Sequence, residues 1–209
     1  MNEGILTSPL LAQHEWLEHG FGTRDGPLSQ NGMASLKQIH SATCQIADQA
    51  GQAGEGDALL TRAPGIAVSV RTADCFPILL ADPVHRAVAA VHAGWRGTAA
   101  GIAAAALHRM QESFGTHPHD VFVAIGPGIG ACCYEVGEEV ARRFGMETAG
   151  RLDLAAHNLR QLVEAGIPQS QIETLGACTF CRAERFHSWR RDCARAGRMI
   201  SYVGIKPPS

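Results

Sequence analysis

Long apolar runs, charge of one sign and linker-like composition are all missing from this 209-residue sequence. Its longest hydrophobic stretches, such as Ile102 to Leu107, fall far short of the ~20 residues that cross a bilayer as a helix. The start, Met1-Asn2-Glu3, is acidic and lacks the basic region of a secretory signal. The expectation is a cytoplasmic protein without membrane association. The 18 basic and 20 acidic residues are interspersed and leave a net charge of −2, so there is no electrostatic footprint for nucleic acid or anionic lipid. A small-molecule substrate is the better expectation. No Pro/Ser-rich segment or break in composition divides the chain, and its length suffices for one sizeable core, so residues 1–209 are read as one domain.

A disulfide framework is not expected on similar grounds. The seven cysteines (44, 75, 132, 133, 178, 181 and 193) are an odd set in a chain read as having no export signal. Cys178-Thr-Phe-Cys181 has the spacing of half a structural zinc site, but no second such pair exists, and Cys132 and Cys133 are adjacent in sequence. All except Cys75 are read as ordinary buried thiols, since free cysteine behaves as a small hydrophobe.

What the sequence does contain is concentrated between Thr72 and Thr98, TADCFPILLADPVHRAVAAVHAGWRGT. Phe76 to Ala81 and Ala87 to Val91 are apolar runs separated by a Pro-containing turn, which predicts two buried strands in a hairpin. Cys75 and His92, both metal-grade ligands, then fall at strand ends, where a rigid scaffold hands over to loops. Arg96 follows in Ala-Gly-Trp-Arg-Gly, a permanent cation in apolar surroundings. Gly65 to Val70 is a strand delivering Arg71, Thr72, Asp74 and Cys75, and Leu36 to Ile46 is read as a strand with His40 near its end. Apolar residues at helical spacing predict a helix over Thr98 to Phe114 with Thr98 as N-cap, its N-terminus directed at the pocket, and another over Leu152 to Ala165. The glycine-rich GPGIGACCY segment after the strand Val121 to Ile125 has neither dinucleotide-binding nor P-loop spacing and is read as close packing around a pocket lined by Tyr134. Arg24, Arg190 and Arg191 are candidate anion donors through their guanidinium forks.

The strings LKQIH, TADC, VHAGWRGT, IGPGIGACCYEVG and FHSWRRD, in that order, with HGFGTR before them, resemble the YfiH laccase-domain family, formerly called multicopper polyphenol oxidases. The resemblance implies a mixed α/β fold, a layered α/β/β/α sandwich of the YfiH/CNF-like type. It implies one zinc held by His40, Cys75 and His92. It implies a purine nucleoside enzyme that phosphorolyses adenosine, inosine or 5′-methylthioadenosine and deaminates adenosine, with Arg24, Arg96, Tyr134, Arg190 and Arg191 as substrate-binding candidates. The sequence departs from the family after Gly26, where only Pro27 to Ser35 bridges to the histidine motif.

Two imidazoles and a thiolate form the donor set of a catalytic rather than a structural zinc, with Asp74 beside Cys75 as a candidate acid/base or orienter of a ligand. Copper fits less well, because a polyphenol oxidase needs several coppers and one trio cannot hold them. Three alternatives stay open: a Cys-His or zinc hydrolase acting on peptidoglycan precursors, with Cys75 as nucleophile and His92 as its base; a copper oxidase; and a non-catalytic metal-binding module.

Overall fold

The computed structural model describes residues 4–26 and 29–208; Pro27 and Leu28, at the start of the shortened bridge, lie outside the described residues. The strands in chain order are β1 (Ile5–Leu6), β2 (Leu17–Gly22), β3 (Ala34–Lys37), β4 (Cys44–Ile46), β5 (Gly51–Glu55), β6 (Ala58–Thr61), β7 (Ala67–Thr72), β8 (Phe76–Asp82), β9 (Ala87–Ala93), β10 (Phe122–Ile125), β11 (Glu135–Val136), β12 (Gly150–Arg151), β13 (Ile172–Thr174) and β14 (Met199–Ile205). The helices are α1 (Trp95–Ala99), α2 (Ile102–Phe114), α3 (Glu138–Arg143), α4 (Leu154–Glu164) and α5 (Trp189–Asp192). Two six-stranded sheets carry the fold, ordered β1-β2-β14-β7-β3-β5 and β13-β10-β8-β9-β6-β4. No helix among the described residues is long and apolar enough to cross a membrane.

The hairpin expected between Phe76 and Val91 is the centre of the second sheet. It pairs β8 with β9 antiparallel, from Phe76 opposite Ala93 to Asp82 opposite Ala87. Its turn is held by the Asp82 carboxylate, which accepts the N–H groups of Val84 and His85 at 2.8 and 3.0 Å. Every residue of both strands is buried, because this sheet is covered on both faces, and a strand so placed reads as a continuous apolar run. Side-chain alternation sorts the two covers. Leu79, Ala81, Val88 and Ala90 face the first sheet and meet Phe21, Val68, Val70 and Val203 there. Ile78, Leu80, Ala89 and Val91 face the helices, meeting Ile102, Leu107 and Met110 of α2 and Leu162 of α4.

The expected Thr98–Phe114 helix is broken. Gly101 takes φ +77° between α1 and α2, a left-handed conformation that glycine adopts without penalty. Thr98 therefore lies inside α1 and caps nothing. Its buried hydroxyl accepts from Asn158 Nδ2 at 3.1 Å, and its carbonyl accepts from Gln161 at 2.8 Å, so it ties α1 to α4. Helical cover is lopsided. Two long helices back the second sheet, whereas the outer face of the first carries the short α5 near one end, its Trp189 close to Arg71 and Ile200.

Three connections meet at one end of the sandwich. The chain passes from the first sheet to the second between β3 and β4, between β5 and β6 and between β7 and β8, the first and last of these being two of the three connections. The β9 strand ends beside these crossings and enters α1. Leu79, fully buried between the sheets, tests this packing. Leu79→Ala is expected to lower unfolding free energy by roughly 2–5 kcal/mol, read from urea titrations; a loss below about 1 kcal/mol would contradict a filled inter-sheet core.

Candidate active site

His40, Cys75 and His92 arrive from those three connections, and their ligand atoms lie within 4.8 Å of one another. Cys75 is the last residue before β8 and His92 the penultimate residue of β9. His40 is not near a strand end as expected. It sits in the β3–β4 crossing, three residues past Lys37, with φ +58°. A non-glycine residue holds that conformation only where its surroundings impose it. The imposing group is Asp57, fully buried just ahead of β6. Its carboxylate accepts the backbone N–H groups of Ile39, His40 and Ser41 at 3.3, 3.0 and 2.6 Å and the Ser41 hydroxyl at 2.8 Å.

The same carboxylate accepts from His92 Nδ1 at 2.8 Å. That fixes the tautomer and leaves Nε2 as the nitrogen available to Cys75, the arrangement found where a histidine is a metal ligand or a general base. Burial raises the pKa of Asp57, but the bonds from His92 and Ser41 outweigh it and bring it to about 2. Burial also raises that of Cys75, yet hydrogen bonds and charge from His40 and His92 pull it down to about 6 in the metal-free chain. For His92, burial lowers the value and Asp57 and Cys75 more than restore it, to about 9. Without a metal each group thus favours the charged form of the other, drawing the thiol pKa down and the imidazole pKa up.

Gly94 allows this closeness. A Cβ there would lie 2.8 Å from Cys75 Sγ and 3.3 Å from the His40 ring. Its φ of −80° is ordinary, so sterics and not backbone conformation requires glycine.

The trio opens into a cavity of about 900 Å³ that also takes in Asp74, Trp95, Arg96, Tyr134, Arg190 and others. Arg71, Arg96, Arg190 and Arg198 line it against the single carboxylate of Asp74, which favours an anionic ligand. Arg96 stacks on Trp95 with its guanidinium 4.3 Å from the ring centre. Burial, then the charge of Cys75, pushes the Tyr134 phenol up to about 12, so it stays a hydrogen-bond donor at neutral pH.

Other candidates fall elsewhere. Arg191 makes two bonds to Asp192, at 2.9 and 2.8 Å, and donates to the carbonyls of Thr179, Phe180 and Phe186. Arg24 donates to the Phe186 carbonyl at 3.3 Å and lies 3.9 Å from Asp192. Neither lines the cavity; their forks are engaged in holding the loop around Phe186. Asp74 does line it, but its oxygens accept from Thr179 Oγ1 at 2.7 Å and the Arg190 N–H at 2.6 Å, so it positions α5, while Asp57 orients the histidine. Arg71 was placed beside the site by the strand that delivers Cys75, but sequence reasoning missed Asp57 and Arg198. The one signal for Asp57 was an acid at the head of a run, Ala58 to Leu60, that is otherwise wholly buried.

The glycine-rich segment packs closely, as expected: a Cβ on Gly128 would lie 2.6 Å from the Phe76 ring.

The family profile described as multi-copper polyphenol oxidoreductase laccase matches residues 22–206. The purine nucleoside phosphorylase of Bacteroides thetaiotaomicron is 40% identical over 163 residues, covering 71% of this chain and 60% of that protein, so this chain spans less than two thirds of that relative. Adenosine deaminase RL5, from an unknown prokaryotic organism, is 38% identical over 195 residues, covering 81% of this chain and 72% of that protein. The crystal structure of Bacillus licheniformis YfiH superposes with a TM-score of 0.85 at 30% identity, covering 92% of this chain and 94% of that one.

In metal-free protein, Cys75 alkylation by iodoacetamide is expected to rise through about pH 6 and then level off. Mass spectrometry of the Cys75 peptide measures it; a rate still climbing beyond about pH 8 would show an ordinary thiol.

Proposed function

Since the chain belongs to the multi-copper polyphenol oxidoreductase laccase family, we propose that it is a zinc-dependent purine nucleoside enzyme. It phosphorolyses adenosine, inosine or 5′-methylthioadenosine to free base and sugar 1-phosphate, and also deaminates adenosine. The observation that carries this reading is the convergence of His40, Cys75 and His92 on an arginine-lined cavity. The relatives named purine nucleoside phosphorylase and adenosine deaminase support it.

The donor set fits zinc: two imidazoles and one thiolate, with the Nδ1–H of one imidazole bonded to a buried carboxylate. Zinc held there supplies a Lewis acid that polarises a substrate oxygen. Cys75 as a thiolate and His40 and His92 as neutral imidazoles would hold the ion, so the Cys75–His92 pair would give up a proton on loading. Asp57 holds His92 in that tautomer throughout. Arg96, Arg190, Arg71 and Arg198 hold inorganic phosphate through charge-assisted hydrogen bonds. Trp95, Tyr134 and Trp189, each with an arginine over its ring, also line the cavity and supply apolar contact to the purine, and the Tyr134 hydroxyl donates to the substrate. Attack of a hydrogen phosphate oxygen at the anomeric carbon forms the sugar 1-phosphate as the glycosidic bond breaks; the base leaves with the bonding pair and takes up the proton that the phosphate gives up.

A specific arrangement favours one competing reading. Cys75, His92 and Asp57 also form a nucleophile, a base and its orienter in sequence, as in Cys-His hydrolases.

Chromatography of inosine and adenosine reactions, with and without phosphate, separates the two. Phosphate-dependent release of hypoxanthine or adenine is expected, abolished by chelation and restored by zinc. Arg96→Ala is expected to raise the KM for phosphate roughly tenfold, ~1.4 kcal/mol. Equal base release without phosphate would make the enzyme a hydrolase. Full activity in chelated protein, stopped by alkylation of Cys75, would replace zinc chemistry by a cysteine nucleophile. Elemental analysis finding copper in place of zinc would overturn the metal assignment.

A further inference from the structure

Cys132 and Cys133 were expected to be unable to complete the half-site at Cys178 and Cys181. The fold overturns this: all four sulfurs lie within 4.8 Å of one another. Cys181 Sγ is 3.3 Å from that of Cys133 and 3.7 Å from that of Cys132. Sulfurs arranged tetrahedrally about zinc, at Zn–S distances of about 2.3 Å, stand roughly 3.8 Å apart. The observed spacing is close to that cage, and each cysteine is free.

Backbone hydrogen bonds build the arrangement. Gly128 and Cys178 form a parallel bridge, with the Thr179 N–H donating to the Gly128 carbonyl at 3.0 Å. The chain then turns through residues 131–133, where the N–H groups of Cys133 and Tyr134 both donate to the Gly130 carbonyl at 2.9 and 3.1 Å. That turn lets two adjacent cysteines serve one centre. The Gly130 N–H donates to Cys178 Sγ at 3.3 Å, as a backbone amide does to a thiolate ligand.

We propose that Cys132, Cys133, Cys178 and Cys181 bind a structural zinc ion as four thiolates, at a site separate from His40, Cys75 and His92. It joins the loop carrying Ile129 and Tyr134 of the cavity wall to the loop carrying Thr179, the partner of Asp74. Four thiolates leave no open position, so this ion holds structure and takes no substrate. A disulfide would use only two of the four sulfurs and need them about 2 Å apart.

The test measures zinc in the full chain, purified without chelator, for the wild type, for Cys132→Ser/Cys181→Ser and for His40→Ala/His92→Ala. About two zinc ions per chain are expected in the wild type and about one in each double variant. Zinc-edge X-ray absorption on His40→Ala/His92→Ala protein is expected to give a sulfur-only shell near 2.3 Å. This reading needs neither the serine variants to fold nor the histidine site to bind metal. The proposal is overturned if the histidine variant holds no zinc, if its zinc has nitrogen or oxygen in the first shell, or if peptide mapping finds a Cys133–Cys181 disulfide in metal-free native protein. Loss of zinc from the wild-type histidine site alone would count against the nucleoside reading and leave this one standing.

Discussion

A single buried carboxylate joins the parts of the site. Asp57 receives three backbone N–H groups and a hydroxyl from the β3–β4 crossing and the Nδ1–H of His92 from β9, so one group sets both the conformation of the His40 loop and the tautomer of His92. Burying an ionised carboxylate is expensive unless its acceptor capacity is filled, and here five donors fill it. The positive φ of His40 persists because those donors over-determine the loop. Without Asp57, the β9 histidine and the crossing would have no common partner.

Around that joint, closeness is managed by size and charge. Glycine at position 94 lets the chain leave β9 against the Cys75 sulfur, which a methyl group would displace. The Cys75 sulfur then stands close to both histidine rings, an arrangement suited to a metal or to nucleophilic attack, since both need the thiolate and differ in whether a metal cation replaces the proton. What biases the cavity beyond the trio is its arginines. Guanidinium groups from β7, α1, α5 and the approach to β14 line it, each able to hold an anion in two-point fashion.

The loops framing the cavity are tied by distant contacts. Asp74 anchors α5 through the Arg190 N–H and reaches Thr179, and Thr179 lies within the Cys178–Cys181 turn that meets the glycine-rich loop. Arg191 fastens the Phe186 loop from the other side. The loops are thereby braced where they frame the cavity, the rigidity that near-attack positioning of a bound ligand requires.

Much of this was legible in the residues alone. The β8–β9 hairpin, the strands before and after it and α4 follow from local periodicity and turn chemistry, which act over a few residues and are written in the chain. The motif strings pointed to His40, Cys75 and His92. What the residues could not reveal is which distant segments share a space. Asp57 heads a buried strand, and nothing beside it in the chain marks its role, because its five donors come from positions 39 to 41 and 92. Arg24 and Arg191 were candidates alongside Arg96, and although Asp192 stands next to Arg191 in the chain, a guanidinium's other partners depend on which carbonyls the fold brings to it. Cys132 and Cys133 looked unable to complement Cys178 and Cys181, because sequence spacing measures distance along the chain, while ligand geometry depends on a turn at Gly130 and a bridge at Gly128. The sequence determined the elements and the ligand types through short-range sterics and apolar patterning; only the tertiary structure, by closing loops between sheets, decided which polar groups are paired and which remain to do chemistry.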